Sequence, residues 1–138
     1  MLTERSNLPF SIEDVYAGFA KVSGILSVVR DHVILEFQVS DAIGGIVKGK
    51  PKEIRIPLRS IESVQFKKNW FAANFYLRVY RMKDLEAIPT NRAGEVKLSI
   101  QRKHRERALQ LASSMNLRLS ELRIEMMDEE FPEDSSEN

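Results

Sequence analysis

The chain has 138 residues, 43% hydrophobic and 30% charged, with 21 Lys and Arg against 20 Asp and Glu, no Cys, two His and one Trp. That length suits one globular domain able to bury a core without staples. The lack of Cys excludes disulfides, thiolate catalysis and Cys-ligated metal centres, and two distant His leave little for a histidine metal site.

No run of 18 apolar residues is present to cross a membrane as a helix. The start, residues 1–7, has no apolar signal-peptide region. Both point to a cytoplasmic protein, free or peripheral at the inner face of the membrane. The charge is uneven. Residues 125–138 hold seven acids (Glu125, Asp128, Glu129, Glu130, Glu133, Asp134, Glu137) and no base, a net of −7. Residues 1–124 then hold 21 bases against 13 acids, a net of +8. The expected organisation is one domain over 1–124, with an N-terminal arm over about 1–14, and a disordered acidic tail over 125–138. The tail is a solubilising end or an electrostatic competitor for the basic body.

In chain order, residues 11–20 read two ways. Ser11 and Asp14 resemble a helix start, with Ile12, Val15, Tyr16 and Phe19 on one helical face, whereas Gly18 and Gly24 suit a long bent strand. From about Ala17 onward extended structure is preferred. Residues 24–29 continue it, Arg30-Asp31 turn it, and Val33, Leu35, Phe37 and Val39 alternate with polar neighbours as a half-buried strand does. Asp41 to Pro51 is a loop. Ile54, Ile56 and Leu58 form the next alternation, which Pro57 assigns to an edge or an ending strand. Val64 and Phe66, then Phe75, Leu77 and Val79, then Val96, Leu98 and Ile100, form three more, with a loop over Lys83 to Gly94. The period then changes. Ala108, Leu111, Ala112, Met115, Leu119 and Leu122 follow helical steps opposite a charged face. Asn116 is a candidate early stop. If the helix continues, Leu117 and Ile124 face away from the main stripe and are exposed or meet a partner.

Successive strands, short turns and one terminal helix favour a mainly β fold, an antiparallel sheet curled into a barrel or two bent layers and capped by the helix. Residues 23–26, 32–37, the segment Ile56-Pro57-Leu58-Arg59-Ser60-Ile61-Glu62-Ser63-Val64, and residues 94–100 followed by a helix resemble a bacterial pleckstrin-homology-like (PH-like) domain. The likeness covers about residues 15–122. It implies a bent barrel of about seven strands plugged by the helix, used as a non-catalytic scaffold for lipids, peptides or proteins, in some members through self-association. The first hairpin turn offers only Arg30, Asp31 and His32, and the helix has no Trp. Both depart from lipid-binding relatives and leave inositol-phosphate recognition unsupported.

Three constellations stand out. Gly44, Gly49 and Lys50 match the opening of a P-loop, but Pro51 supplies no hydroxyl for Mg²⁺ and a strand rather than a helix follows. A flexible hairpin loop explains them better. Lys48, Lys50 and Lys52 there, with Lys67, Lys68, Trp70 and Phe71 in the next hairpin, suit an anionic membrane surface: amines reach headgroups and an indole seats at the interface. Because Trp is usually well buried, the first expectation is instead that Trp70 and Phe71 open the following strand and cap the core. Arg102, Lys103 and Arg105 put positive charge at a helix start, against the macrodipole, as a site meeting an anion would. Solvated arginines covering apolar surface are the plainer explanation.

No set of carboxylates and His assembles for acid–base catalysis, so no enzyme, cofactor or metal is expected. His32 and His104 read as surface or structural residues, and Met115, Met126 and Met127 as filler. Scattered basic residues matching no recognition module speak against nucleic acid. The leading expectation is a binding module working through protein contacts, including self-association by edge strands or by Leu117, Leu119 and Ile124. The alternative is peripheral binding to an anionic membrane. A small enzyme or carrier requires a large polar pocket that the aliphatic alternation disfavours.

Overall fold

The computed structural model describes residues 6–15, 18–41, 44, 46–89 and 92–130, with backbone alone at 6, 14, 47 and 48. Seven strands precede one helix: β1 (Ser6–Val15), β2 (Ala20–Val29), β3 (His32–Asp41), β4 (Val47–Pro57), β5 (Ile61–Lys68), β6 (Ala73–Val79), β7 (Glu95–Ser99) and α1 (Arg105–Glu130). Short 3₁₀ turns fill Leu58–Ser60, Met82–Leu85 and Arg102–His104. All strand pairs are antiparallel in one sheet of order β4-β3-β2-β1-β7-β6-β5. This mainly β sheet with a C-terminal helix is consistent with a PH-like sheet capped by a helix.

Alternation dictates the strands, and burial shows which face turns inward. On β6 every second residue is buried, from Ala73 through Phe75 and Leu77 to Val79. The inward residues of all seven strands, from Ile56 on one edge strand to Ile61 and Val64 on the other, belong to one core cluster. A flat sheet cannot bring its two edges to a shared core, so the sheet curls. Ala108, Leu111, Ala112, Met115, Leu119 and Leu122 of α1 fill the opening. Large side chains, including Phe37, Phe75, Leu26, Leu77 and Met115, pack the interior solidly. Gly24 of β2 pairs with Phe10 and Phe37 on its two sides. A Cβ there would collide with the Glu36 carbonyl oxygen and lie 2.7 Å from the Phe10 ring, so this crossing of strands needs glycine.

Three expectations change. The stretch read as an N-terminal arm is in part a strand: residues 6–15 lie between β2 and β7, with Leu8, Phe10 and Ile12 buried. This also settles residues 11–15 as strand; Tyr16 and Ala17 lie outside the described residues. The helix does not stop at Asn116, whose side chain instead donates to the Val64 carbonyl at 3.0 Å. Nor does disorder begin at 125, because α1 runs to Glu130 and Arg59 reaches Glu129 at 3.2 Å. The rest of the acidic segment, 131–138, lies outside the described residues. Pro57 ends β4, which is an edge strand as expected.

One ion pair ties the sheet to the helix. Arg30 and Asp31 adopt φ of 50° and 62° in the two-residue β2–β3 turn, the left-handed geometry of a tight hairpin. Arg118 of α1 grips Asp31 with both prongs, Nη2 to Oδ2 at 2.7 Å and Nε to Oδ1 at 3.0 Å. That hydrogen bonding, aided by the positive charge of Arg118, holds the Asp31 carboxyl below its usual range despite partial burial. A carboxylate whose folded pKa is depressed stabilises the fold above its unfolded pKa, and loses that contribution as pH falls through the folded value. Asp31→Asn, which also tolerates left-handed φ, should therefore be less stable than wild type at neutral pH. As pH falls through the lowered folded pKa of Asp31 the two should converge. Urea unfolding from pH 7 downward measures this; parallel curves would contradict the pair's role.

Candidate functional site

The β5–β6 ladder ends at the Lys68–Ala73 pair, leaving Asn69, Trp70, Phe71 and Ala72 as the turn. Asn69 builds it. Its Oδ1 accepts from the backbone N–H of Phe71 and of Ala72, both at 2.8 Å, while its own N–H donates to the Ala72 carbonyl at 2.8 Å. Asn favours such turns because its short side chain reaches backbone donors two and three residues ahead. The turn throws both aromatic side chains outward: Trp70 is 79% and Phe71 89% exposed. This overturns the expectation that they open β6 and cap the core. The strand opens at Ala73, and it is Ala73 and Phe75 that face the core.

A second element docks on the tip. Where β7 ends, Ile100 donates to the Ala73 carbonyl at 2.9 Å, and Arg102 Nη2 donates to the Trp70 carbonyl at 3.3 Å. The turn Arg102–His104 and the start of α1 therefore lie against the hairpin. Between them is a cleft of about 320 Å³ lined by Lys68, Asn69, Trp70, Arg102 and Arg105. Pleating sorts the two lysines. Lys68 continues the inward row of Val64 and Phe66 and lines the cleft. Lys67 faces outward, with Nζ 5.4 Å from the centroid of the Tyr76 ring, a cation–π distance. Lys103 is exposed in the docking turn. Glu106 is the acid in the first turn of α1.

The other expected residues are elsewhere. Since β1 runs antiparallel to both β2 and β7, the β3–β4 connection and the β5–β6 tip belong to opposite ends of the sheet. Lys50 and Lys52 are exposed on β4, away from Trp70; Lys48 is described only as part of that strand. Gly49 and Lys50 of the P-loop fragment are part of β4 as well, so the stretch expected as a loop up to Pro51 is strand from Val47, while Gly44 lies in a turn before it. Gly49 has φ of +81° beside a shift in register with β3, and no helix follows Lys50. Its glycine serves a bulge rather than a phosphate cradle. Leu119 is buried at 3% exposure and so cannot meet a partner, whereas Leu117 and Ile124 are exposed. His32 is exposed, its Nδ1 3.1 Å from the Arg30 carbonyl.

Sequence reasoning missed Asn69 and Tyr76. The signal for Asn69 was there in an Asn at the end of an alternating run. Among the described residues no cluster of His, Asp and Glu gathers to hold a metal ion, and no helix is long and apolar enough to cross a membrane. No protein-family model, curated protein or solved structure matches this chain.

Proposed function

We propose that this chain is a non-catalytic, PH-like binding module that docks on anionic membrane surfaces through the β5–β6 tip. One observation carries the reading: Trp70 and Phe71 stand almost fully in water on a braced turn beside Lys67, Lys68, Arg102, Lys103 and Arg105. Leaving two large aromatics in solvent forgoes the burial that usually favours them. A hydrogen-bonded turn that holds them there suits insertion rather than folding. Burying a Phe side chain is worth about 1.5–3 kcal/mol, and each cation near an anionic surface about 1 kcal/mol. These terms are comparable, so binding needs both and is reversible.

The expected result is sedimentation of the protein with vesicles containing phosphatidylglycerol, weakened by salt, and not with pure phosphatidylcholine. Replacing Trp70 and Phe71 together with Ala should weaken it about tenfold or more, while Lys50→Gln with Lys52→Gln changes little. Absence of sedimentation, or an unchanged aromatic variant, would contradict the proposal.

Self-association has its own support. Leu117, Ile124 and Met127 are 61–63% exposed on the outer side of α1, at steps of seven and three. The helix and the turn before it begin with Arg102, Lys103, Arg105 and Arg107 and end with Glu121, Glu125, Asp128, Glu129 and Glu130. A second copy laid antiparallel would match opposite charges while covering those apolar side chains. Light scattering should then report a dimer that Leu117→Glu with Ile124→Glu dissociates; a wild-type monomer at high concentration would dismiss it.

A further inference from the structure

We infer that the outer face of α1 joins two copies of the chain antiparallel, so that their β5–β6 tips point in opposite directions and one dimer bridges two anionic membrane surfaces. This rests on the docking reading of the tip and the self-association reading of the helix, and adds how the two combine. The helix lies antiparallel along β5. In sequence order, Arg102 meets the Trp70 carbonyl, Asn116 the Val64 carbonyl, Arg123 the Glu62 carbonyl and Glu129 the Arg59 guanidinium. Those partners run in reverse order, from the hairpin tip back past the start of β5. The tip therefore projects at the N-terminal end of α1, and the direction of the helix sets the direction of the tip.

The exposed apolar residues of α1 fix a register. Leu117 and Ile124 lie two turns apart, opposite the buried row of Ala108, Met115 and Leu119. Leu109 is 48% exposed and Met127 62%. They are eighteen residues apart, about five turns at 3.6 residues each, so they share one line along the helix. An antiparallel pair centred on Arg118 sets Leu109 of each copy against Met127 of the other. It also brings the two Leu117 side chains together near the middle.

Charge selects this direction. Arg107 lies on the flank turned to β1, where it donates to the Asn7 carbonyl at 2.7 Å. In the antiparallel register it comes beside Glu125 and Glu129 of the other copy. Arg102 and Arg105, which line the cleft, are left to the membrane. A parallel pair would instead set the acidic last turns of α1 against each other, and like charges so placed are costly.

The direction carries the function. In a parallel pair both tips would face one membrane and gain by avidity. In the antiparallel pair only one tip reaches a given surface. Arg105 lies thirteen residues from the centre at Arg118, about 20 Å along the helix. The two tips then stand about 40 Å or more apart at opposite ends of the dimer. That is several times the Debye length of about 8 Å at physiological salt, so two anionic surfaces held at this spacing repel little.

The test mixes intact protein with phosphatidylglycerol-containing vesicles carrying separate donor and acceptor dyes. Clustering is read by energy transfer and dynamic light scattering, beside binding to the same vesicles immobilised singly. The expected result is clustering that rises with protein and falls again once every surface is saturated. Leu117→Glu with Ile124→Glu should abolish clustering while affinity for single vesicles stays within about twofold of wild type, since one tip serves each surface. Met127→Glu, on the line shared with Leu109, serves if the double variant fails to fold. Vesicle binding by wild type without clustering overturns the bridge and leaves docking standing. Clustering that persists in a variant shown by light scattering to be monomeric overturns it as well. So does a wild-type affinity for single vesicles about a hundredfold above that of the monomeric variant, the mark of a parallel pair. Absence of vesicle binding overturns both docking and bridge.

Discussion

Asn69 stops the β5–β6 ladder by turning its side-chain oxygen onto the N–H groups of Phe71 and Ala72. Those two donors would otherwise seek strand partners and draw the aromatic pair into the sheet. With them satisfied locally, the ladder closes at Lys68–Ala73 and Trp70 and Phe71 fall outside it. The core loses nothing by this, since Ala73 and Phe75 already fill the inward row. The outward aromatics and the room for Arg102 to reach the Trp70 carbonyl both follow from that one turn.

The helix fixes the other wall of the site from a distance. Asn116 and Arg123 donate to the backbone carbonyls of Val64 and Glu62 on β5, and Arg118 clamps Asp31. These contacts set the helix along the exposed edge of β5, covering carbonyls that an edge strand would otherwise present to other chains. Its N-terminal arginines are thereby delivered to the hairpin tip, and its C-terminal acids to the far end beside Arg59. The basic and acidic halves that are separate in sequence are thus separate in space along the helix. Only the basic half borders the cleft.

Strand and helix periods were legible because each inward row is continuous: Phe75, Leu77 and Val79 can be nothing but one face of a strand. Three features were not. In β1, Leu8, Phe10 and Ile12 alternate as cleanly as any strand, yet Ser11 with Asp14 imitated a helix start, and Pro9 lacks the N–H that a central strand uses. Tertiary pairing with β2, over eight residue pairs, outweighed both. Trp70 was misplaced because average burial says where tryptophans usually lie, while the decisive fact was a side-chain cap made by its neighbour Asn69. Which lysines share an end of the molecule was also beyond the sequence. That depends on strand direction across the whole sheet, which sent Lys50 and Lys52 one way and Lys68 the other.

A surface built this way joins an apolar probe, held out by its own turn, to a cationic cleft at its base. In the proposed docking the first would supply depth and the second charge, and both sit on hydrogen-bonded elements, a hairpin capped by Asn69 and a helix start. Trp70 is the one tryptophan of the chain, so its fluorescence reports on this tip alone. The direct measurement is its emission in buffer and then with anionic vesicles whose acyl chains carry bromine at stepped depths. Emission typical of water that shifts to the blue and is quenched by the shallow bromines is the predicted result. Blue emission already in buffer, or emission unmoved on vesicles that nonetheless carry the protein, would contradict it.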